Sequence, residues 1–173
     1  MHIEIIEEAG VNSALKGLSL SYNAMEGDMR HVALKLYDKD GGHNKFLESM
    51  VMWININAPR YWWQQFDTYR IGVTKQSEST MHTILKKPLC KDNFEDDLPK
   101  ETMDRLNSLI SEKKFDQLKN ELPEGFLQRR IVCTNYKTLR NIIAQRKNHK
   151  IVQWRQFCDM ITHTCKHGRF LID

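Results

Sequence analysis

The residue whose type and place could do chemistry is Arg146. A helix predicted from residue 135 to about Lys147, capped by Thr134 or Asn135, puts Asn135, Leu139, Ile142 and Arg146 in one stripe, with Ile143 widening it. That stripe should face the core. A guanidinium cannot lose its charge and is costly to bury alone. Arg146 must therefore find a carboxylate, reach water with its head, or face an anionic or polar ligand. Its place near a helix C-terminus also gives a favourable dipole interaction. Lys137 and Asn141, four apart, share a different face and could line a second surface.

Other candidates are weaker. VTKQSESTMHT, residues 73–83, is a run of hydroxyls and amides that reads as a loop. Such a loop can cradle a phosphate or a carbonyl, and the same composition suits any polar loop. Asn55 and Asn57 make the end of a strand face polar, to be satisfied by water or a ligand. His163 and His167 have metal-ligand spacing but no evident third ligand, so they read as surface histidines. The four cysteines, Cys90, Cys133, Cys158 and Cys165, fit no zinc template. Cys158 and Cys165 are seven apart on one helix face, which suits core packing in a reduced, intracellular chain.

The totals set the frame. A chain of 173 residues is read as one domain, and this size hides ~70% of its unfolded surface. Net charge is +4, with acids clustered at residues 92–97 and a basic last third. This balance fits an anionic ligand or nucleic acid and compels neither. MHIEIIEEAG lacks the basic then apolar run of a signal peptide. No stretch has the ~20 apolar residues of a membrane span. A cytoplasmic protein without a membrane partner is expected.

In chain order, residues 2–7 alternate as a strand and Gly10 breaks it. Asn12 or Ser13 could cap a short helix to Leu18, residues 19–23 read as loop, and Asp28 could cap a helix to about Tyr37. Residues 38–44, DKDGGHN, form a turn. Residues 46–49 lead into a strand over 50–57, with Met50, Met52, Ile54 and Ile56 on one side. Pro59 can open a helix running to Arg70 with five aromatics, which Gly72 ends or loosens. Residues 86–99 are loop-rich, and 100–118 read as one helix. A turn at 122–125 precedes a short buried strand over 130–134. A last helix over 151–165 carries Ile151, Trp154, Cys158, Ile161 and Cys165 on one stripe.

With these residues in view, the chain resembles the flavin-dependent thymidylate synthases (ThyX). Their C-terminal signature, Leu-Pro, Asn-x-Arg-x-x-x-Asn-x-x-x-x-Arg and Ala-Gln-Trp-Glu, is matched in register by Leu122-Pro123, by Asn135, Lys137, Asn141 and Arg146, and by Val152-Gln153-Trp154-Arg155. Upstream, Gly42, His43 and Glu48 fit the family's Gly-His-x-x-x-x-Glu-His segment. Residues 65–81 are similar to its Gln-x-x-Arg-His-Arg motif and the Ser-rich segment after that motif. The resemblance implies an α+β single domain over residues 1–173, with a mixed or antiparallel sheet flanked by helices. It also implies a homotetramer with FAD between subunits. The implied activity is transfer of a one-carbon unit, methyl or hydroxymethyl, from methylene-tetrahydrofolate to C5 of a pyrimidine deoxynucleotide such as dUMP, with NADPH as reductant. It implies FAD contacts from Ser49, Gln65, Tyr69, Arg70, Ile71, Asn135, Lys137 and Asn141. For the nucleotide it implies Gln65, Ser77, Glu78, Ser79, Lys119 and Arg146, with Arg146 the catalytic cation against the pyrimidine ring.

The chain also departs from the family. Thr68-Tyr69-Arg70 stands where the family has Arg-His-Arg, and Ser49 where it has a flavin-contacting histidine. Lys119 and Lys137 replace arginines, keeping charge and losing the bidentate fork. The arginine for the nucleotide phosphate is absent from residues 77–82. A second reading therefore stays open: a non-catalytic nucleotide or nucleic-acid binding protein on the same scaffold. The eroded Arg-His-Arg motif and the positive charge favour that reading, and the retained Asn135, Asn141 and Arg146 count against it, since binding alone would not demand that set.

Overall fold

The structure, a computed structural model, describes residues 1–23 and 28–172. It is an α+β fold with one four-stranded antiparallel sheet. The strands are β1 (His2–Ala9), β2 (Val51–Pro59), β3 (Val73–Ser77) and β4 (Leu127–Asn135), in the order β1-β2-β4-β3. The chain divides into two compact units, and the residues of every strand are shared between them. Among the described residues, no helix is long and apolar enough to cross a membrane.

The larger unit, residues 3–55, 69–75 and 131–173, carries α1 (Val11–Leu20), α2 (Arg30–Leu36), α7 (Tyr136–Arg146) and α8 (Val152–Thr164). The alternation of β2 does what its sequence dictates: Met50, Met52 and Ile54 are fully buried while Val51, Trp53 and Asn55 are half-buried. Residues 46–49, expected to lead into this strand, instead lie in a 3-10 turn, Lys45–Ser49, against which α1 and α7 both pack. Phe46 and Leu47 are its buried side. Gly10 starts α1 at φ +86°, where an added Cβ would lie 2.2 Å from the Ser49 carbonyl oxygen. The helix so begins at the glycine rather than at Asn12 or Ser13, and it continues through Ser19 and Leu20, which were expected to be loop. The N-cap of α2 is Met29 rather than Asp28, whose carboxylate takes the Arg30 N–H at 2.9 Å from just before the helix. Tyr136, fully buried, donates to Glu8, whose carboxylate also accepts the Lys166 N–H at 3.0 Å. Burial first, then Glu8, pushes the Tyr136 phenol well above its ordinary range. The stripe of α8 is core as expected, with Trp154, Cys158, Ile161 and Cys165 all buried.

The smaller unit, residues 1–2, 56–68 and 76–130, carries α3 (Arg60–Phe66), α4 (Thr80–Thr83), α5 (Lys100–Ser111) and α6 (Phe115–Glu121). Pro59 opens α3, as its fixed φ favours. The helix ends at Phe66, short of Arg70, with Trp62, Trp63 and Phe66 buried. The helix expected over 100–118 is two, α5 and α6, broken where Lys113 takes φ +56°. Leu106, Leu109, Ile110 and Leu118 bury their shared apolar side with Phe94, Leu122 and Phe126. Arg130 lies 4.4 Å over the Trp63 ring and donates to both Asp67 carboxylate oxygens.

The run 73–83, expected to be loop, is corrected. Residues 73–77 are β3, at the sheet's edge, and Thr80–Thr83 is the single turn α4. An edge strand shows water one backbone edge and much of its side-chain surface, so it needs no apolar alternation.

Candidate functional site

Helix α7 organises the larger unit's polar groups. Its N-cap is Asn135, whose side-chain oxygen accepts the Thr138 N–H at 2.9 Å. Leu139, Ile142 and Ile143 are buried and seat the helix. The face beside them carries Lys137, Thr138, Asn141 and Gln145, while Arg146 shares the stripe of Leu139 and Ile142.

Two segments meet this face. Lys137 Nζ pairs with Glu48 Oε1 at 2.6 Å, which places Ser49, exposed, at the first turn of α7. The Thr138 hydroxyl donates to the Ile71 carbonyl at 3.2 Å, and the Thr134 hydroxyl to the Gly72 carbonyl at 2.8 Å. These bonds pin the segment holding Tyr69, Arg70 and Ile71. Gly72 sits there at φ +69°, and a Cβ on it would meet Thr138 Oγ1 at 2.5 Å and Asn135 Nδ2 at 2.7 Å. Arg70 is exposed, and Ile71 is 90% exposed.

At the other end of α7, Arg146 is half-buried. Its Nε donates to Tyr69 Oη at 2.7 Å. Its guanidinium carbon lies 4.8 Å from the centroid of the Trp154 ring and 5.6 Å from that of Tyr69. Aromatic faces attract a desolvated cation, each by ~0.5–2 kcal/mol. That attraction explains how a charge shares a stripe with Leu139 and Ile142. Tyr69 Oη in turn donates to Gln145 Oε1 at 3.0 Å, and Gln145 Nε2 to Asn141 Oδ1 at 3.1 Å. His149 packs against the same Trp154 ring, 6.4 Å between centroids. Burial and then the Arg146 charge hold its pKa below the ordinary histidine range.

The structure thus brings Ser49, Tyr69, Arg70, Ile71, Asn135, Lys137, Asn141 and Arg146 to one helix. The sequence pointed to Arg146 without its seat: Tyr69 is 77 residues away, and Trp154 read as plain core. The Gln145–Asn141 pair had a signal, its spacing of four.

The other expected site residues belong to the smaller unit. Lys119 Nζ donates to Thr80 Oγ1 at 2.8 Å. Burial, then the charge of Arg60, lowers its pKa. Ser79 caps α4, with its carbonyl accepting the Thr83 hydroxyl at 2.7 Å. Glu78 N–H donates to the Arg129 carbonyl at 2.9 Å, and its carbonyl accepts Gln128 Nε2 at 3.2 Å. The side chains of Ser77 and Glu78 are exposed, and Gln65 is half-buried near the end of α3, its carbonyl taking the Thr68 hydroxyl at 2.7 Å. Cations, hydroxyls and amides of these kinds suit phosphate and carbonyl oxygens. FAD carries both, so the donor set of the chain fits that group chemically.

An α+β chain with this sheet order and these eight helices has the fold of the flavin-dependent thymidylate synthases. It is similar to the crystal structure of Thymidylate Synthase X (ThyX) from Helicobacter pylori with FAD and dUMP, with TM-score 0.84 and 14% identity, over 99% of this chain and 97% of that one. A second Helicobacter pylori structure, flavin-dependent thymidylate synthase ThyX complexed with FAD and dUMP, has TM-score 0.80, 16% identity and the same coverage of 99% and 97%. No family model and no curated protein sequence matches the chain.

Proposed function

We propose that the chain is a divergent flavin-dependent thymidylate synthase-like enzyme. It transfers a methyl or hydroxymethyl unit from methylene-tetrahydrofolate to C5 of a pyrimidine deoxynucleotide such as dUMP. The reading is carried by a whole-length likeness of fold to proteins solved with FAD and dUMP, in a chain that sets Asn135, Asn141 and Arg146 on one helix. In this reading Ser49, Gln65, Tyr69, Arg70, Ile71, Asn135, Lys137 and Asn141 hold FAD. Gln65, Ser77, Glu78, Ser79, Lys119 and Arg146 hold the nucleotide. The working protein is a cytoplasmic homotetramer.

The flavin, when bound, supplies the hydride that reduces the transferred carbon, with NADPH as the source of electrons. What the chain's own residues do is placement and charge. Arg146, fixed at Nε, sets a permanent cation against the uracil carbonyls. Negative charge that develops on those oxygens is stabilised there, which makes C5 more nucleophilic. Lys119 and Ser79 meet the nucleotide phosphate in place of an arginine.

The test begins with colour. Purified protein should carry or take up FAD, with the yellow absorbance of a flavoprotein. Incubated with FAD, NADPH, methylene-tetrahydrofolate and a panel of pyrimidine nucleotides, it should yield one product heavier by a methyl or hydroxymethyl group, identified by mass. Arg146→Lys should stay folded and flavin-bound and lose turnover. A colourless protein that takes up no FAD sinks the enzyme reading and leaves the non-catalytic binding protein.

A further inference from the structure

Arg146, Tyr69, Gln145 and Asn141 form a hydrogen-bond series whose direction chemistry largely sets. An arginine Nε can only donate, so Tyr69 Oη accepts at 2.7 Å. The phenol's one O–H goes to Gln145 Oε1 at 3.0 Å, and the Gln145 amide N–H to Asn141 Oδ1 at 3.1 Å. Each of these three bonds then has one donor and one acceptor. The NH2 group of Asn141, an exposed residue, takes no part in the series. At the first member, Nε is committed, which fixes the plane of the guanidinium. We propose that Tyr69 and Gln145 are positioning residues: they lock the guanidinium of Arg146 and the carboxamide of Asn141, so that α7 offers donors and takes acceptor groups, carbonyl oxygens or anions.

Stability alone does not account for the series. Gln145 and Asn141 are exposed, and exposed side-chain hydrogen bonds add little to folding because water replaces them. Tyr69 reaches α7 from a segment pinned by Thr134 and Thr138 through main-chain carbonyls, so its hydroxyl is not needed to hold that segment. Its bond to Nε instead helps to set which way the cation points. A misplacement of ~1 Å in such a group can cost 100-fold in rate. That the acceptor is a pyrimidine nucleotide rests on the proposed function; the lock does not.

The experiment has two arms. The first reads the Arg146 Nε–H resonance by nitrogen-15 NMR, identified as the signal missing from Arg146→Lys. It should be sharp near pH 7 in the parent protein and broadened by solvent exchange in Tyr69→Phe and in Gln145→Leu. A signal equally sharp in both variants overturns the lock. Gln145 is exposed, so Gln145→Leu keeps this arm decisive if Tyr69→Phe does not fold. The second arm titrates dUMP into the FAD-loaded protein. Tyr69→Phe should weaken binding roughly 10-fold, as loss of one charge-assisted hydrogen bond would, and that loss should vanish in an Arg146→Lys background. Equal losses in both backgrounds overturn the positioning role. A parent protein that binds no dUMP yet shows the sharp Nε–H signal refutes the nucleotide reading and supports the lock.

Discussion

Gly72→Ala should loosen the segment on which the α7 site is built. The glycine sits at φ +69°, where a Cβ costs about 1–2 kcal/mol. The new methyl would also lie 2.5 Å from Thr138 Oγ1 and 2.7 Å from Asn135 Nδ2. Neither neighbour can move freely. Asn135 caps α7 by accepting the Thr138 N–H, and the Thr138 hydroxyl holds the Ile71 carbonyl. Disturbing a cap costs about 1 kcal/mol, and a hydrogen bond about 1 kcal/mol. If one of the two yields, the total is about 2–3 kcal/mol, which in a chain of this size lowers Tm by roughly 4–12 °C. Thermal unfolding followed by circular dichroism reads the shift. The double variant with Thr138→Ala separates clash from strain: with Oγ1 gone, the two losses should fall short of additivity. The reasoning fails if Gly72→Ala melts with the parent protein, or if the losses simply add.

Other expectations come from the same geometry. Lys137 and Glu48 pair at 2.6 Å with 39% and 54% of their side chains exposed, so the pair adds less than about 1 kcal/mol. Lys137→Ala should keep its Tm within roughly 4 °C and lose FAD affinity in a flavin titration; a large melting shift with unchanged affinity makes Lys137 a structural residue only. Burial pushes the Cys158 thiol up to about 12 and the Cys165 thiol to about 11. A raised thiol pKa favours the folded state while the thiols are protonated, fully below pH ~9, and that share is lost as pH climbs towards the folded values. Stability measured by urea unfolding should therefore fall from about pH 9 upward, less steeply in Cys158→Val; an unchanged slope in that variant removes Cys158 as a cause. At pH 8 a thiol reagent should label exposed Cys90 quickly and Cys158 and Cys165 only on unfolding.

The fold was legible wherever burial imposes a period. β2 carries its buried face at every second residue because one side of that strand is fully buried. α7 and α8 show their stripes for the same reason at 3.6 residues per turn. Where burial is one-sided or the break is made by backbone alone, the pattern is silent. β3, Val73–Ser77, is an edge strand with mostly polar side chains and reads as loop. The break between α5 and α6 falls at Lys113, a residue type that announces no turn. The apolar spacing runs across it undisturbed, since both helices feed one core.

The site divides along the same line. Helical spacing is local, so it placed Arg146, Asn141 and Lys137 on their faces from the sequence. What a face meets is not local. The stripe argument gave Arg146 a carboxylate, water or a ligand as its outlets, and the structure adds the aromatic faces of Tyr69 and Trp154. Tyr69 stands where the family motif has histidine. Both side chains can accept a hydrogen bond from an arginine Nε, but a phenol has no cationic form. A neutral histidine at this position would lose its acceptor on protonation and repel the guanidinium below pH ~6.5. Tyrosine removes that dependence. Tyr69→His should accordingly give dUMP binding that weakens as pH falls from 8 to 5.5, over a range in which the parent protein's affinity, as far as this contact sets it, stays level. A flat profile in Tyr69→His would mean that residue 69 does not govern the cation.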